Sequence, residues 1–459
     1  MTGVAALLLI FYLRSKREKL PPGPFAFPVI GNLLQIVLSG SLVKFCKKYR
    51  EIYGEVFTMR LGGYTRVVIS GYDNLHHILI SLAEHTSSRS MTFQKFFPGK
   101  KERGLLWAHT SDWKAIRTFS LLTLRDRGMG RAAFEPEIVE EIEKYMEHYI
   151  QPSLGQPLDM YSNLPRPLLM SYHNWSITNV LNSLVRSSLK MSFLGNLPII
   201  GEHIPVVKKL RTDLQEISLP TIRKCIEERR QQFSSGEPQC LVDQYLLQGG
   251  NVDALTGENT VELCFQLYNA GTETTSTTLR WALLFLCKNP DVLKKVQKEI
   301  DDNIGQRSAT YKDHLDMPYT DAVLLETQRL SNIVNSSLPR NVDRDIYVGG
   351  TLIPAGSDLL FNMASILHDP KVFEEADKFK PERYLTGDIT LKKKRTIPFG
   401  IGRRACLGES LAKVELFLFF VNFLQKYNIC LPEGSKVTTE PMISVISSPQ
   451  PYGVVFSCR

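Results

Sequence analysis

The stretch Phe399-Gly400-Ile401-Gly402-Arg403-Arg404-Ala405-Cys406-Leu407-Gly408 places one cysteine on a glycine-bounded loop just ahead of an apolar run. From Leu407 to Phe420 the residues Leu411, Val414, Leu416, Phe417 and Phe420 recur at helical spacing, so the pattern predicts a helix with Cys406 at its N-terminus. Unpaired N–H groups and the helix dipole favour an anion there, which lowers a thiol pKa and keeps the sulfur ionised as a metal ligand. Gly402 and Gly408 permit a tight turn and close approach of a flat ligand. Phe399 is placed to cover the sulfur, and Arg404 to pair with an acidic group on the ligand edge. A lone loop cysteine is also a common buried structural residue, and the residue types alone leave both readings open.

The whole pattern Phe399-x-x-Gly402-x-Arg404-x-Cys406-x-Gly408 resembles the haem-binding signature of the cytochrome P-450 family, most closely its microsomal family-two branch. The resemblance implies a mainly α (α+β) fold, with a large helical lobe, a small β-rich lobe, and haem b between the long I helix and the L helix. It also implies that Cys406 is the iron ligand and that Phe399, Arg404 and Gly408 belong to the cofactor site. Thiolate ligation pushes electron density toward iron and favours O–O cleavage, which is oxygen activation.

Other segments carry the same resemblance. Glu326-Thr327-Gln328-Arg329 fits the family's Glu-x-x-Arg, and Pro381-Glu382-Arg383-Tyr384 follows at the family's usual distance, so Glu326, Arg329 and Arg383 are expected to form a structural triad. Buried charges of this kind must be mutually paired. Glu227-Glu228-Arg229-Arg230 contains the same spacing and reads as a solvated helix face. Trp113 and Arg117 lie four apart on one helical face, and in the family these positions bind a haem propionate; Arg340, with Arg89 as a weaker candidate, resembles further propionate donors.

Ala270-Gly271-Thr272-Glu273-Thr274-Thr275 interrupts an apolar helix expected from about Glu258 to Cys287 and stopped by Asn289-Pro290. Glycine mid-helix is locally unfavourable by roughly 1 kcal/mol against alanine, and such violations cluster at functional sites. By resemblance Ala270 and Gly271 open a groove for dioxygen, while Glu273 and Thr274 are the catalytic acid–alcohol pair that delivers protons. Pocket walls are expected in Ser90 to Phe97, Leu267 to Ala270, Ile333 to Leu338 and Val445 to Pro449.

The chain has 459 residues, 43% of them hydrophobic, with no Gly/Ser-rich linker and no repeat, which favours one catalytic domain over residues 20–459. Its eight cysteines show no paired spacing, so neither a disulfide framework nor a zinc ribbon is indicated. Residues 1–19 read as a partial membrane anchor and basic stop: Val4 to Leu13 is apolar, Arg14 to Lys19 is basic, and Pro21-Pro22-Gly23-Pro24 follows as a hinge. Ten apolar residues fall short of the ~20 that span a bilayer. By resemblance the protein sits on the endoplasmic reticulum membrane and faces the cytosol.

The net charge of +8 is spread out and forms no nucleic-acid stripe; Lys392-Lys393-Lys394-Arg395 comes just before the cysteine loop, Lys114, Arg125, Arg127 and Arg131 lie on or after the helix of Trp113, and by resemblance these surround the proximal face of the haem. The resemblance implies NADPH–cytochrome P-450 reductase and cytochrome b5 as partners there, with charge steering the encounter. After Asn174 to Asn179 the chain departs from the family: Leu184 to Ser188 passes quickly to Asn196-Leu197-Pro198, shortening the expected roof of the substrate cavity. The implied function is a haem-thiolate monooxygenase acting on dioxygen and an apolar xenobiotic, fatty acid or steroid. The alternatives are a haem-thiolate isomerase that rearranges peroxides without reductase, and a haem-binding protein that the shortened lid makes non-catalytic.

Overall fold

A computed structural model describes residues 20–62, 64–90, 103–108, 110–126, 128–129, 134–164, 212, 216, 218–233, 236, 238, 240–248, 257–442 and 446–459. The expected anchor, most of the Ser90 to Phe97 loop, the shortened segment around 174–200, Arg127, Arg131 and Val445 lie outside the described residues.

The architecture is mainly α. In chain order the helices that matter here are α1 Leu33–Leu38, α2 Leu42–Tyr53, α3 Thr110–Asp126, α4 Glu135–Tyr145, α5 Leu219–Gln232, α6 Leu241–Leu247, α7 Gly257–Lys288, α8 Pro290–Asn303, α9 Pro318–Ser331, α10 Ile389–Arg395 and α11 Glu409–Lys426. Asn289-Pro290 ends α7 as its pattern predicts, and Pro290 opens α8, where a missing N–H is harmless. Helix α9 stops at Asn332, a left-handed residue (φ 39°) of a type that tolerates that conformation.

Helix α11 is apolar on almost every side, which marks a helix wrapped by neighbours rather than lying on a surface. Phe417, Phe419, Phe420 and Phe423 are fully buried among residues of α4, α7 and α8, including Ile142, Trp281 and Val296. Each such side chain contributes ~1.5–3 kcal/mol of burial, so this cluster fixes how α7 lies against α11.

The β structure is small. The predicted hairpin forms as β1 Val56–Leu61 and β2 Tyr64–Ile69, with Phe57 opposite Val68. A two-residue strand β3, Ser88–Arg89, and a short β4, Pro157–Asp159, come before the long helices; β5 Arg340–Asn341, β6 Ile346–Val348, β7 Thr351–Ile353 and β8 Asp358–Phe361 come after them. The larger sheet runs β1-β2-β8-β5-β3, and its last pairing sets Arg89 directly opposite Arg340. Strands β9 Tyr427–Cys430 and β10 Gly453–Cys458 complete a second sheet with β4.

Among the described residues no helix is long and apolar enough to cross a membrane.

Candidate functional site

The loop 399–408 is held by its own backbone: Cys406 N–H donates to the Phe399 carbonyl at 2.9 Å, and Ala405 N–H to the Gly402 carbonyl at 3.0 Å. Gly402 has φ +81°, and a Cβ there would come within 2.3 Å of the Leu79 carbonyl oxygen. Its glycine is therefore required by a neighbouring segment of the protein, not by a ligand. Gly408 differs: its φ is −91°, and a Cβ would meet nothing within 4 Å, so the side facing away from the protein is open. Phe399 lies with the Lys413 ammonium 5.8 Å from its ring centroid.

Helix α11 begins at Glu409, with Gly408 as its N-cap, so Cys406 sits ahead of the helix rather than within its first turn. This changes the expected thiol chemistry. Burial raises the Cys406 pKa above its ordinary value and the nearby Glu409 adds to that, while the Gly408 N–H and the Arg117 charge pull it down. The helix dipole reading overstated the anion preference of the metal-free thiol because burial of the sulfur works against the charged form. A bound cation would supply the missing charge, since a coordinating thiol is deprotonated by its metal. The residue is solvent-accessible, and its sulfur lies within the influence of the Arg117 charge on α3.

Four arginines gather beside this loop. Arg404 is buried, donates to the carbonyls of Ser87, Leu105 and Ala108 at 3.1, 3.2 and 2.9 Å, and stacks 4.1 Å above the Trp113 ring. Arg117 lies 5.7 Å from the same ring. Arg89 donates to the Leu106 and Leu338 carbonyls at 3.2 and 2.9 Å. Arg340 is buried over Phe361, and its Nε and Nη1 have no partner. Burial pushes all four pKa values down; the charge of Arg89 depresses Arg340, and Arg89, Arg340 and Arg117 together depress Arg404. Guanidinium remains charged at neutral pH, so this is a pocket of unbalanced positive charge. Among the described residues none of the four makes an ion pair with a carboxylate. Asp358, the nearest acid by register, stands opposite Asn341 and thus on the other face of the sheet from Arg340. Directly opposed like charges such as Arg89 and Arg340 are destabilising unless an anion bridges them. A planar ligand carrying two carboxylates and a central metal fits this donor set.

Helix α7 passes the same place. Leu407, next to Cys406, packs in one apolar cluster with Trp113 of α3 and with Leu263 and Leu267 of α7. Just beyond Leu267 the helix opens: Ala270 is exposed and Gly271 and Thr274 are half-buried, whereas Thr275 to Leu286 is buried throughout. The hydroxyls of Thr272, Thr274, Ser276 and Thr278 each donate back to the carbonyl four residues earlier, at 2.6 to 2.9 Å, which competes with the helix ladder and loosens it. Glu273 is not bonded to Thr274. Its carboxylate accepts from Thr277 at 3.1 Å and from Arg280 at 3.0 Å, because residues four and seven further on share its side of the helix.

Glu326, Arg329 and Arg383 come together. Arg329 donates twice to the Glu326 carboxylate at 2.8 Å, and Arg383 donates to it at 3.0 Å; all three are buried. The remaining donors of the two arginines reach the carbonyls of Leu367, Ala376, Glu374, Glu375 and Lys378. The look-alike copy around Glu227 behaves differently: Arg230 pairs loosely with Glu227 at 3.9 Å on the surface, and Arg229 turns inward to a buried Asp243. The basic run before the loop is partly neutralised, with Lys393 3.8 Å from Asp321, and Arg395 3.3 Å from Asp73 and 3.9 Å over Tyr72.

One residue escaped the sequence reading. Glu415 of α11 is buried among phenylalanines, accepts a hydrogen bond from Thr275 at 3.2 Å, and burial pushes its pKa up to about 8. A glutamate inside an apolar helix was the available signal.

The cytochrome P450 family model matches residues 21–456. Cytochrome P450 2B2 of Rattus norvegicus is 36% identical over 486 aligned positions, covering 99% of this chain and 97% of that protein. Cytochrome P450 2C16 of Oryctolagus cuniculus is 35% identical over 449 positions, covering 93% and 92%, and cytochrome P450 2C5 of the same species is 34% identical over 481, covering 99% and 98%. The first and third alignments are longer than the 459 residues here, so these relatives contain residues that this chain lacks.

Proposed function

The chain belongs to the cytochrome P450 family of haem-dependent monooxygenases, and from that premise we propose that Cys406 ligates haem iron in an enzyme of apolar substrates. Its electrons would come from NADPH through a flavoprotein reductase, with cytochrome b5 as an accessory donor, and one atom of dioxygen would enter a xenobiotic, fatty acid or steroid. The observation that carries the reading is the arginine group, buried at Arg89, Arg340 and Arg404 and with two donors of Arg340 unpartnered, beside the accessible Cys406.

When bound, the haem supplies dioxygen activation. The chain's own residues do the rest. Arg340, Arg117, Arg404 and the Trp113 N–H hold the cofactor's carboxylates, with Arg89 behind them. The Gly408 N–H points at the Cys406 sulfur and tempers its charge. Phe399 shields the loop from water. Ala270 and Gly271 leave space over the cofactor, and the Thr274 hydroxyl, resting on the Ala270 carbonyl at 2.7 Å, manages the proton. Glu273, held on Arg280, is the carboxylate from which that proton is replenished. The Glu326–Arg329–Arg383 triad keeps the structure behind the cofactor in place.

Attachment to a membrane, with the endoplasmic reticulum as its seat, is supported at the amino-terminal side. Phe25, Val29, Val37 and Leu38 are 71%, 52%, 58% and 77% exposed, apolar side chains that follow the basic run Arg14 to Lys19 and the proline hinge after the apolar Val4 to Leu13.

The test is reconstitution with NADPH and the reductase under heavy-isotope dioxygen, using a panel of apolar substrates. One labelled oxygen per product, dependent on the reductase, is expected; turnover of peroxides without reductase would favour the isomerase instead. In the same system Thr274→Ala is expected to consume NADPH at a comparable rate but release hydrogen peroxide in place of most product, and unchanged coupling would remove Thr274 from the proton route.

A further inference from the structure

The short segment Arg103 to Ala108 has its backbone shared between α7 and the arginines. On one side Gln266 of α7 accepts from the Leu106 N–H at 2.7 Å and donates to the Arg103 carbonyl at 3.1 Å. On the other side the Leu106 carbonyl receives Arg89, and the carbonyls of Leu105 and Ala108 receive Arg404. Gly104, at φ +66°, sits against the Gln266 amide, where a Cβ would come within 2.5 Å. Asn259, two helical turns before Gln266, adds a contact to the Gly104 N–H at 3.3 Å, and Glu258 pairs with Arg103 at 3.1 Å.

This arrangement is unusual in its economy. Gly104–Trp107 is a single helical turn, closed by the Ala108 N–H donating to the Gly104 carbonyl at 3.3 Å, and one turn leaves most of its N–H and carbonyl groups without an intrahelical partner. Here one buried side-chain amide supplies both a donor and an acceptor, and the carbonyls left over aim at guanidinium groups. Leucine at 266 would fill the volume but strand an N–H and a carbonyl, and the segment would shift to find partners. Because Arg89 and Arg404 hang on its carbonyls, they would shift with it.

We infer that Gln266 is a positioning residue for the cofactor: it fixes Arg103 to Ala108 so that Arg89 and Arg404 stay aligned in the arginine group. The inference rests on the proposed role of that group in holding haem carboxylates. Gln266 itself touches neither cofactor nor reacting atoms in this scheme. It also joins the wall of the substrate cavity, Leu267 to Ala270 one residue on, to the edge of the cofactor, so the two respond together.

The test is the rate at which haem leaves the purified holoenzyme for excess apomyoglobin, with the ferrous carbon monoxide spectrum recorded before transfer. Gln266→Leu is expected to release haem about tenfold faster, the loss of two backbone hydrogen bonds, while keeping its thiolate-type spectrum. Gln266→Glu, which retains the acceptor for Leu106 but not the donor to Arg103, is expected to fall between the two. Gly104→Ala, which pushes the amide away from the other side, should reproduce the leucine variant and stands in for it should that variant not accumulate. Release at the wild-type rate in Gln266→Leu and Gly104→Ala would overturn the inference. Arg404→Leu in the same assay separates the two levels. Fast release there with normal release in the Gln266 and Gly104 variants sinks the positioning role alone, whereas normal release in Arg404→Leu sinks the cofactor reading beneath it.

Discussion

Two groups of buried arginines stand in this molecule under opposite conditions. In the first, Arg329 and Arg383 share the Glu326 carboxylate and spend their other donors on backbone carbonyls. In the second, buried Arg89, Arg340 and Arg404 gather with half-buried Arg117; the charge of Arg89 depresses the pKa of Arg340, Arg89, Arg340 and Arg117 depress that of Arg404, and two donors of Arg340 have no partner. A folded chain tolerates buried charge when it is paired, as in the first group. The second makes sense only if something outside the polypeptide completes it. Charge balance thus distinguishes an arginine that supports the fold from one that waits for a ligand, although burial and residue type are alike.

The largest effect separating the two comes from Arg329→Ala. It leaves Glu326 buried with half its partners, a loss of ~3–5 kcal/mol, and little or no haem-loaded protein should accumulate on expression. A normal haem yield would put the two groups on the same footing and break the comparison. Arg340→Leu should act in the contrary sense on the two measurable properties. Haem should leave roughly tenfold faster or more, as expected for lost bonds to a charged group. The haem-free chain should nevertheless melt at a higher temperature than wild type, because an unbalanced buried charge is gone. Lower melting of the haem-free chain together with unchanged haem release would make Arg340 a support residue like Arg329.

Glu415 sharpens the comparison from a third direction, as a buried acid without a basic partner. Its folded pKa, about 8, lies above the ordinary carboxylate value, so between these the folded state binds more protons than the unfolded state. Stability should therefore fall as pH rises through that window, by up to about 1.4 kcal/mol per pH unit from this group. Glu415→Gln, neutral in both states, should melt close to wild type at pH 5 and above it at pH 8. Parallel melting curves against pH would show that the folded pKa of Glu415 is not raised above its unfolded value.

How much of this was visible in the sequence follows the same physics. The Glu-x-x-Arg triad was legible because a helix fixes Glu326 and Arg329 three apart and the third member lies in a recognisable Pro-Glu-Arg segment. The cysteine loop was legible as a string of residue types, and the hairpin and long helix as periodicities. The partners of Glu273 were not: attention fell on the adjacent Thr274, whereas the helix brings Thr277 and Arg280 to its side. The rise in the Cys406 thiol pKa was not visible because it comes first from burial of the sulfur, a product of packing, with the Glu409 charge adding to it. Gln266 gave no sign at all, since its two bonds reach a segment some 160 positions away in sequence. Contacts of that separation are written in the packing, not in local pattern.

Under the proposed function Cys406, beside the arginine group, holds haem as a thiolate. The most direct measurement is the absorption spectrum of the dithionite-reduced carbon monoxide complex of the chain expressed from Lys19 onward, beside Cys406→Ala. A strongly red-shifted Soret band in the former and its absence in the latter are predicted. A band at the position typical of histidine or neutral thiol ligation, or the same band in both proteins, would contradict the claim.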